Sequence, residues 1–493
     1  MPDLPRLSLG DRHSLLLKLD GRLWVAGSNV NGQLGLGWTA KKSNTFWPSV
    51  NDVQAVSAGS DHSMVLKQDG SVWTAGRNLD GQLGDGSTTD RNTFVKVISG
   101  GSIAIAAGRD FSMVLREDGS VWTTGLNTHG QLGDGTTSTR HNFVPVVCGP
   151  ATWVEGDFDY LDDLSEEEDD SEIGRLPTEK IWPSQADPPK YFRNMGGVEE
   201  IAAGGYHSVV LRYDGSVWST GSNAYGQLGI GFLPVGDTPA FIKVLDEDVI
   251  GVAAGAFHTL VVKYDGSVWA TGRNIFGQLG DGSRAGRATF TPVVPNGVLS
   301  VIAGHSYSMV VTNDGSACST GSNARGQLGD GSIADRTNFV IVKYSGVVAA
   351  ATGFAHSMYI ALDGQVWATG WNSDGQFGDG SFTSTSTFVS VTRITDTVVR
   401  TTQKPMLPFS FPSVVTRTTT RPAVPGEKTV VVCLVTAGSI PAFRALCCIF
   451  IFVTYYYCQG LPPKVVVCVG IFDCLSLRTQ SVASHISFRY PLF

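Results

Sequence analysis

Between residues 60 and 100, short apolar runs are separated by sharp polar breaks. Ser63-Met64-Val65-Leu66 runs into Gln68-Asp69-Gly70, and Ser71-Val72-Trp73-Thr74-Ala75-Gly76 follows. Asp-Gly between two such runs predicts a β-hairpin with a type I′ turn, which needs φ > 0 at both central residues. Thr93-Phe94-Val95-Lys96-Val97 then alternates like another strand, and a further strand ending in Ala-Ala-Gly or a variant precedes the next hairpin. Nothing in the unit has the helical period of about 3.6 residues.

The unit recurs seven times. Its Asp-Gly falls at Asp20, Asp69, Asp118, Asp214, Asp265, Asp314 and Asp363. The glutamine of Gly-Gln-Leu/Phe-Gly falls at Gln33, Gln82, Gln131, Gln227, Gln278, Gln327 and Gln376, with the same intervals. Two markers in phase fix a period near 49 residues, broken by one insertion at 148–197. One phase of the strand after the turn carries Trp24, Trp73, Trp122, Trp218, Trp269 and Trp367, with Cys318 as the exception, and large rings there are expected to fill the contact between neighbouring sheets. Twelve residues beyond the glutamine stand Phe94, Phe143, Phe290, Phe339 and Phe388. Four short strands per unit predict an all-β, seven-bladed β-propeller of four-stranded blades over residues 1–400. Closure is expected through N-terminal strands, with Ser8 to Leu17 completing a last blade that begins at Phe388.

The pattern A-G-x-x-H-S-x-x-L…D-G-S-V-W-x-x-G-x-N-x-x-G-Q-L-G-D-G resembles the repeat of the regulator of chromosome condensation family, through Ala58-Gly59, His62-Ser63, Gly76, Asn78, Gly81-Gln82-Leu83-Gly84 and Gly86. The resemblance covers roughly residues 5–400 apart from the insertion. It implies a seven-bladed propeller. It also implies two functional classes: a non-catalytic protein-interaction scaffold, or a guanine-nucleotide exchange factor for a Ran-type small GTPase, which in founding members works through a protruding hairpin.

Composition sharpens this picture. Of the 59 glycines in the 493 residues, 42 occupy six fixed phases of the repeat, so the excess belongs to turns and close contacts. A pattern present seven times is architecture before it is chemistry. Gly-Gln-Leu-Gly-Asp-Gly lacks the Lys-Ser/Thr of a phosphate-binding loop. His13, His62, His207, His258 and His356 share a phase filled by Phe111 and Tyr307 elsewhere, which favours packing over metal ligation. No catalytic residue, cofactor site or metal site is expected. Residues 1–400 carry 28 basic and 42 acidic residues, so direct nucleic-acid binding is disfavoured.

Three features stand apart from this architecture. Nine residues after the glutamine, Lys42, Arg91, Arg140, Arg287 and Arg336 are basic, and equivalent loops share one face. They form either local pairs with the aspartate three residues after the glutamine or a docking face for an acidic protein partner. The insertion holds eleven acidic residues and no basic one between 155 and 172, including Glu166, Glu167, Glu168, Asp169 and Asp170; it reads as a disordered, regulatory acidic segment with Ser165 and Ser171 as candidate phosphosites. Residues 401–493 hold six of the eight cysteines and no repeat marker. Their segment 440–458 is long enough for a transmembrane helix, while the composition also resembles out-of-frame translation. The expectation is a monomeric cytoplasmic or nuclear propeller, membrane-anchored only if that tail is genuine.

Overall fold

The computed structural model describes residues 6–38, 40–146, 197–231 and 236–393, and three strands beyond them at Thr436–Gly438, Cys447–Tyr456 and Lys464–Asp473. The chain divides into two compact units, Met1–Thr402 and Gln403–Phe493. In the first, seven four-stranded antiparallel sheets follow one another, each built from four consecutive strands. The second blade is typical, with strands Val53–Ala58, His62–Lys67, Val72–Gly76 and Arg91–Ile98 paired in that order from the inside of the ring outwards.

The hairpin at Asp69-Gly70 forms, with a different turn from the one expected. Gly70 has φ of 76°, and Asp69 is not among the residues with positive φ. The Gly70 amide donates to Lys67 O (3.0 Å) and the Lys67 amide to Ser71 O (2.9 Å), so the turn is a type I turn closed by a glycine bulge. Asp69 is used through its side chain: Oδ1 accepts from the Ser71 amide (2.9 Å) and hydroxyl (2.5 Å). Ser71 Oγ in turn accepts from the Trp73 indole (2.9 Å). The sequence Asp-Gly-Ser-x-Trp is therefore one hydrogen-bonded unit.

Closure also differs from expectation. The strands Arg6–Leu9 and His13–Leu17 pair with Leu23–Ser28 and Lys42–Pro48 in the first blade, and the segment containing Phe388 is the outer strand of the seventh, Thr385–Arg393. The strand after the Gly-Gln-Leu-Gly loop finishes its own blade, so no piece is missing and no strand is exchanged. The ring closes by repeating the contact used between all blades. A Cβ on Gly84 would lie 2.5 Å from the Phe143 ring of the next blade, and the same approach recurs from Gly35 to Phe94, Gly133 to Phe241, and Gly378 back to Phe46. Phe46 and Phe241 fill the position at thirteen and fourteen residues beyond the glutamine, where the loops are longer.

Buried polar links run around the same boundaries. His62 Nε2 lies 2.9 Å from Ser112 Oγ of the third blade, and His13, His207 and His258 reach Ser63, Thr259 and Ser308 in the same way. His356 reaches Ser14 of the first blade (3.1 Å), and Tyr307 substitutes its hydroxyl, 3.0 Å from Ser357 Oγ. These five histidines are fully buried, and burial lowers their pKa to about 3 or 4. They are neutral structural donors.

In the second unit the three strands form one sheet. Within 440–458, where a helix was one expectation, Cys447–Tyr456 is a strand paired with Lys464–Asp473. No helix among the described residues is long and apolar enough to cross a membrane.

Candidate functional site: the channel mouth

Strand direction sorts the loops onto two faces. Loops joining inner to second strands, such as Gly59 to Asp61, and the long loops joining third to outer strands, such as Arg77 to Asp90, lie on one face. The Asp-Gly turns and the blade-to-blade connections lie on the other. The insertion joins Arg140–Val146 to Val198–Ala203, so its two ends leave from the turn side. Glu166–Asp170, Ser165 and Ser171 lie outside the described residues.

The five basic positions occupy the long-loop face, each held by a partner. Arg91 bonds Asp85 (2.7 Å), Arg140 Asp134 (2.7 Å), Arg287 Asp281 (2.6 Å) and Arg336 Asp330 (2.6 Å). Lys42 reaches the seventh blade, donating to Ser373 O (3.0 Å) with Asp374 at 3.9 Å. Each aspartate also organises its loop. Asp85 accepts from the Ser87 amide and hydroxyl and from Asn78 Nδ2, whose other contacts go to Ser87 O and Thr89 O. Burial opposes ionisation of Asp85, yet hydrogen bonds from Ser87, Arg91 and Asn78 outweigh it and hold the carboxyl below its usual range.

Nearer the axis the face changes character. The channel narrows to a cavity of about 150 Å³, ringed by the short loops that carry Asp11, Ser60, Arg109, Tyr206, His305 and Phe354. Blades one to three supply an ionic half. Arg77 bridges Asp110 and Asp80, and Arg109 adds a contact to Asp110 (3.5 Å) and a hydrogen bond to the Tyr206 hydroxyl (2.6 Å). Burial, reinforced by Asp61, pushes the Asp11 carboxyl up to about 6; burial also raises Asp61 and Asp110, against the pull of nearby arginines.

Blades four to seven supply an aromatic half. Tyr206 stacks on Phe257 (centroids 5.6 Å apart), Phe257 meets Tyr225 (5.2 Å) and His305 (6.1 Å), His305 leans on Phe354 (4.5 Å), and Phe354 approaches Trp371 (6.5 Å). Arg273 lies over Tyr225, Phe257 and Phe276 at 5.1–5.7 Å. Arg12 and Arg325 both lie over Trp371, at 5.3 and 5.5 Å. Burial holds His305 down at about 4, with Arg109 and Arg273 adding to the effect. This crescent is absent from the residues singled out by sequence. Its one sequence signal is variation: after the glycine that ends the third strand stand Ser28, Arg77, Leu126, Ser222, Arg273, Ser322 and Trp371, a position that differs between otherwise matching blades.

A pocketed nucleophile with its base does not occur in this crescent, and among the described residues no group of three His, Cys, Asp or Glu side chains could hold a metal ion.

Two profiles described as the regulator of chromosome condensation (RCC1) repeat match the chain, one at residues 6–33, 53–82, 103–131, 198–227, 249–278 and 347–376, the other at 20–66, 69–115, 118–151, 214–262 and 265–311. The probable E3 ubiquitin-protein ligase HERC3 of Homo sapiens is 36% identical over 113 residues, which is 22% of this chain and 11% of that protein. The protein RCC2 homolog of Xenopus laevis is 40% identical over 90 residues, 18% of each chain. The chain thus matches under a fifth of the length of these curated relatives. Among solved structures, yeast RCC1 (Prp20) bound to Kap60 aligns at a TM-score of 0.60 with 17% identity, over 79% of this chain and 85% of that one. Human WBSCR16 aligns at 0.57 with 20% identity, over 73% and 87%. These likenesses show the fold. Because the matched segments fall in register with the blades, from the first to the seventh, the chain belongs to the regulator of chromosome condensation repeat family.

Proposed function

We propose that this propeller is a non-catalytic protein-binding module that engages its partner through the long-loop face, around the channel mouth. The observation that carries this reading is the aromatic crescent of blades four to seven, where rings and guanidinium groups from four separate blades form one continuous surface. A few side chains carry most of the binding energy at protein interfaces, and tryptophan, tyrosine and arginine are enriched among them. Exposed apolar side chains adjoin the crescent: Phe354 is 38% exposed, Tyr225 41% and Ile275 46%. The outer arginines act in this reading as loop braces.

The test compares the full chain with Tyr225→Ser/Ile275→Ser/Phe354→Ser and, as a control on the turn side, Tyr213→Ser/Tyr344→Ser. Affinity capture should lose its specific partners with the first variant and keep them with the second. The same partners retained equally by both would sink the proposal.

Exchange activity is the second reading, and family membership is what favours it. A structure of Prp20p from Saccharomyces cerevisiae, described with its binding properties to Gsp1p and histones, shares the fold at a TM-score of 0.59 and 18% identity. Catalytic amounts of the full chain should leave release of labelled nucleotide from a Ran-type GTPase unchanged. Accelerated release overturns the non-catalytic reading.

A further inference from the structure

The positive charge on the long-loop face is not where the arginine-rich loops put it. Arg91, Arg140, Arg287 and Arg336 are each paired with an aspartate of their own blade. Arg12, Arg273 and Arg325 make no ion pair among the described residues and lie over aromatic faces, although Arg12 is near enough to Asp61 to pull on its carboxyl. Two of them share one ring. Trp371, from the seventh blade, carries the guanidinium of Arg12, from the first, and that of Arg325, from the sixth, each between 5 and 6 Å from its centroid.

Stacking fixes a guanidinium by its flat face and leaves its N–H donors at the edge unused. Two like charges held on one indole repel each other, and both side chains are exposed. An anion placed against their edges removes that repulsion and accepts charge-assisted hydrogen bonds, the strongest polar contact a surface offers. Arg273 extends the set along the crescent. Its guanidinium lies over three rings, and its buried Nε has no hydrogen-bond partner.

The surroundings say which anion fits. A nucleic-acid strand presents a continuous line of phosphates and would cross the carboxylates of Asp61, Asp80 and Asp110 on the other half of the mouth. The cations here are few, and aromatic rings separate them. A chain in which carboxylates alternate with apolar side chains matches that spacing, since its carboxylates meet the guanidinium edges while its apolar groups cover Phe354 and Tyr225.

Resting on the reading of this face as the binding surface, we propose that the Arg12–Trp371–Arg325 stack, extended by Arg273, is a carboxylate clamp for an acidic, apolar-interrupted segment of a protein partner. The probe is a fluorescein-labelled synthetic 12-residue peptide alternating Glu and Leu, titrated into the full chain at several salt concentrations. Arg12→Gln/Arg325→Gln should weaken binding at least tenfold and flatten its salt dependence. Both side chains are exposed, so an unchanged thermal midpoint shows the fold is retained. Trp371→Leu, which keeps both charges and removes their platform, should also weaken binding. Equal affinity for the wild-type chain and the double variant overturns the clamp. Tighter retention of a 12-nucleotide single strand than of the peptide, or self-association of the chain abolished by the double variant, does the same by naming another occupant. If the peptide does not bind while Tyr225→Ser/Ile275→Ser/Phe354→Ser still abolishes partner capture, the clamp falls and the binding face stands.

Discussion

His62 Nε2 sits 2.9 Å from Ser112 Oγ across a blade boundary, and the same hydroxyl is 2.7 Å from the backbone oxygen of Gln82. A carbonyl can only accept, so the single serine proton goes to Gln82 and the imidazole must donate from Nε2. One hydroxyl thereby fixes the tautomer of a neighbouring blade's histidine and ties down the Gly-Gln-Leu-Gly turn of its own boundary.

The two partners should respond unequally to removal. Ser112→Ala leaves the His62 N–H and the Gln82 carbonyl buried without partners and is expected to cost ~2–6 kcal/mol, at about 1–3 kcal/mol for each orphaned group. His62→Phe keeps the serine-to-carbonyl bond and copies the third blade, where Phe111 stands above a Ser208 that still donates to Gln131 O (2.6 Å). Its cost should stay under ~1.5 kcal/mol. Chemical denaturation of the two variants checks the order.

Stability should fall as pH drops from about 6.5 towards 4. His13, His62, His207, His258, His305 and His356 bind protons more weakly when folded, with pKa values lowered from 6.5 to about 3 or 4. The unfolded chain therefore takes up more protons in that window, and stability rises with pH through it. Asp11, raised to about 6, Glu200, raised by burial to about 7, and Asp61, Asp110 and Glu199, also raised by burial, act in the opposite direction, since the folded chain holds those protons more tightly. The six histidines, all held at about 3 or 4, outweigh these five carboxyls. Thermal midpoints measured from pH 7.5 to 4.5 should decline, and His62→Phe should shallow the slope.

Loop charges should also be asymmetric. Asp85→Ala strips partners from Asn78, Ser87 and Arg91 and is expected to destabilise by ~1–3 kcal/mol. Arg91→Gln removes one partly exposed ion pair and should cost less than ~1 kcal/mol. Unfolding midpoints of the two single variants decide it.

Gly84→Ala tests the interlock between blades. The residue has φ of 73°, and its new methyl would meet Phe143. Left-handed strain of about 1 kcal/mol and overpacking of about 1–3 kcal/mol add, for ~2–4 kcal/mol. Gly84→Ala/Phe143→Ala should recover only the overpacking part, which a double-mutant cycle in denaturant reads directly.

The seven Asp-Gly turns, the glutamine loops and the tryptophan phase were legible in sequence because each is a local motif repeated at a fixed interval. Phe46 and Phe241 escaped the pattern through longer loops, and the type I turn was hidden because Asp-Gly suits both turn families. The crescent was not legible. Arg12, Arg325 and Trp371 stand at positions where the blades differ, and Arg12 reaches Trp371 only because the first blade packs against the last. Repetition reveals the scaffold, and it masks side chains whose meaning depends on what the ring brings together.

The junction of the first and seventh blades is made of side-chain contacts and two main-chain hydrogen bonds, from the Gly380 amide to Asn44 O (2.7 Å) and from the Phe354 amide to Gly10 O (3.4 Å), with no strand laced across it. Mechanically the ring is a split washer. Tension applied between its first and last strands would load that slit ahead of the six continuous joints, and the two arginines that meet on Trp371 straddle it. A ligand gripping both would act as a clasp, so force and occupancy at this face are opposed.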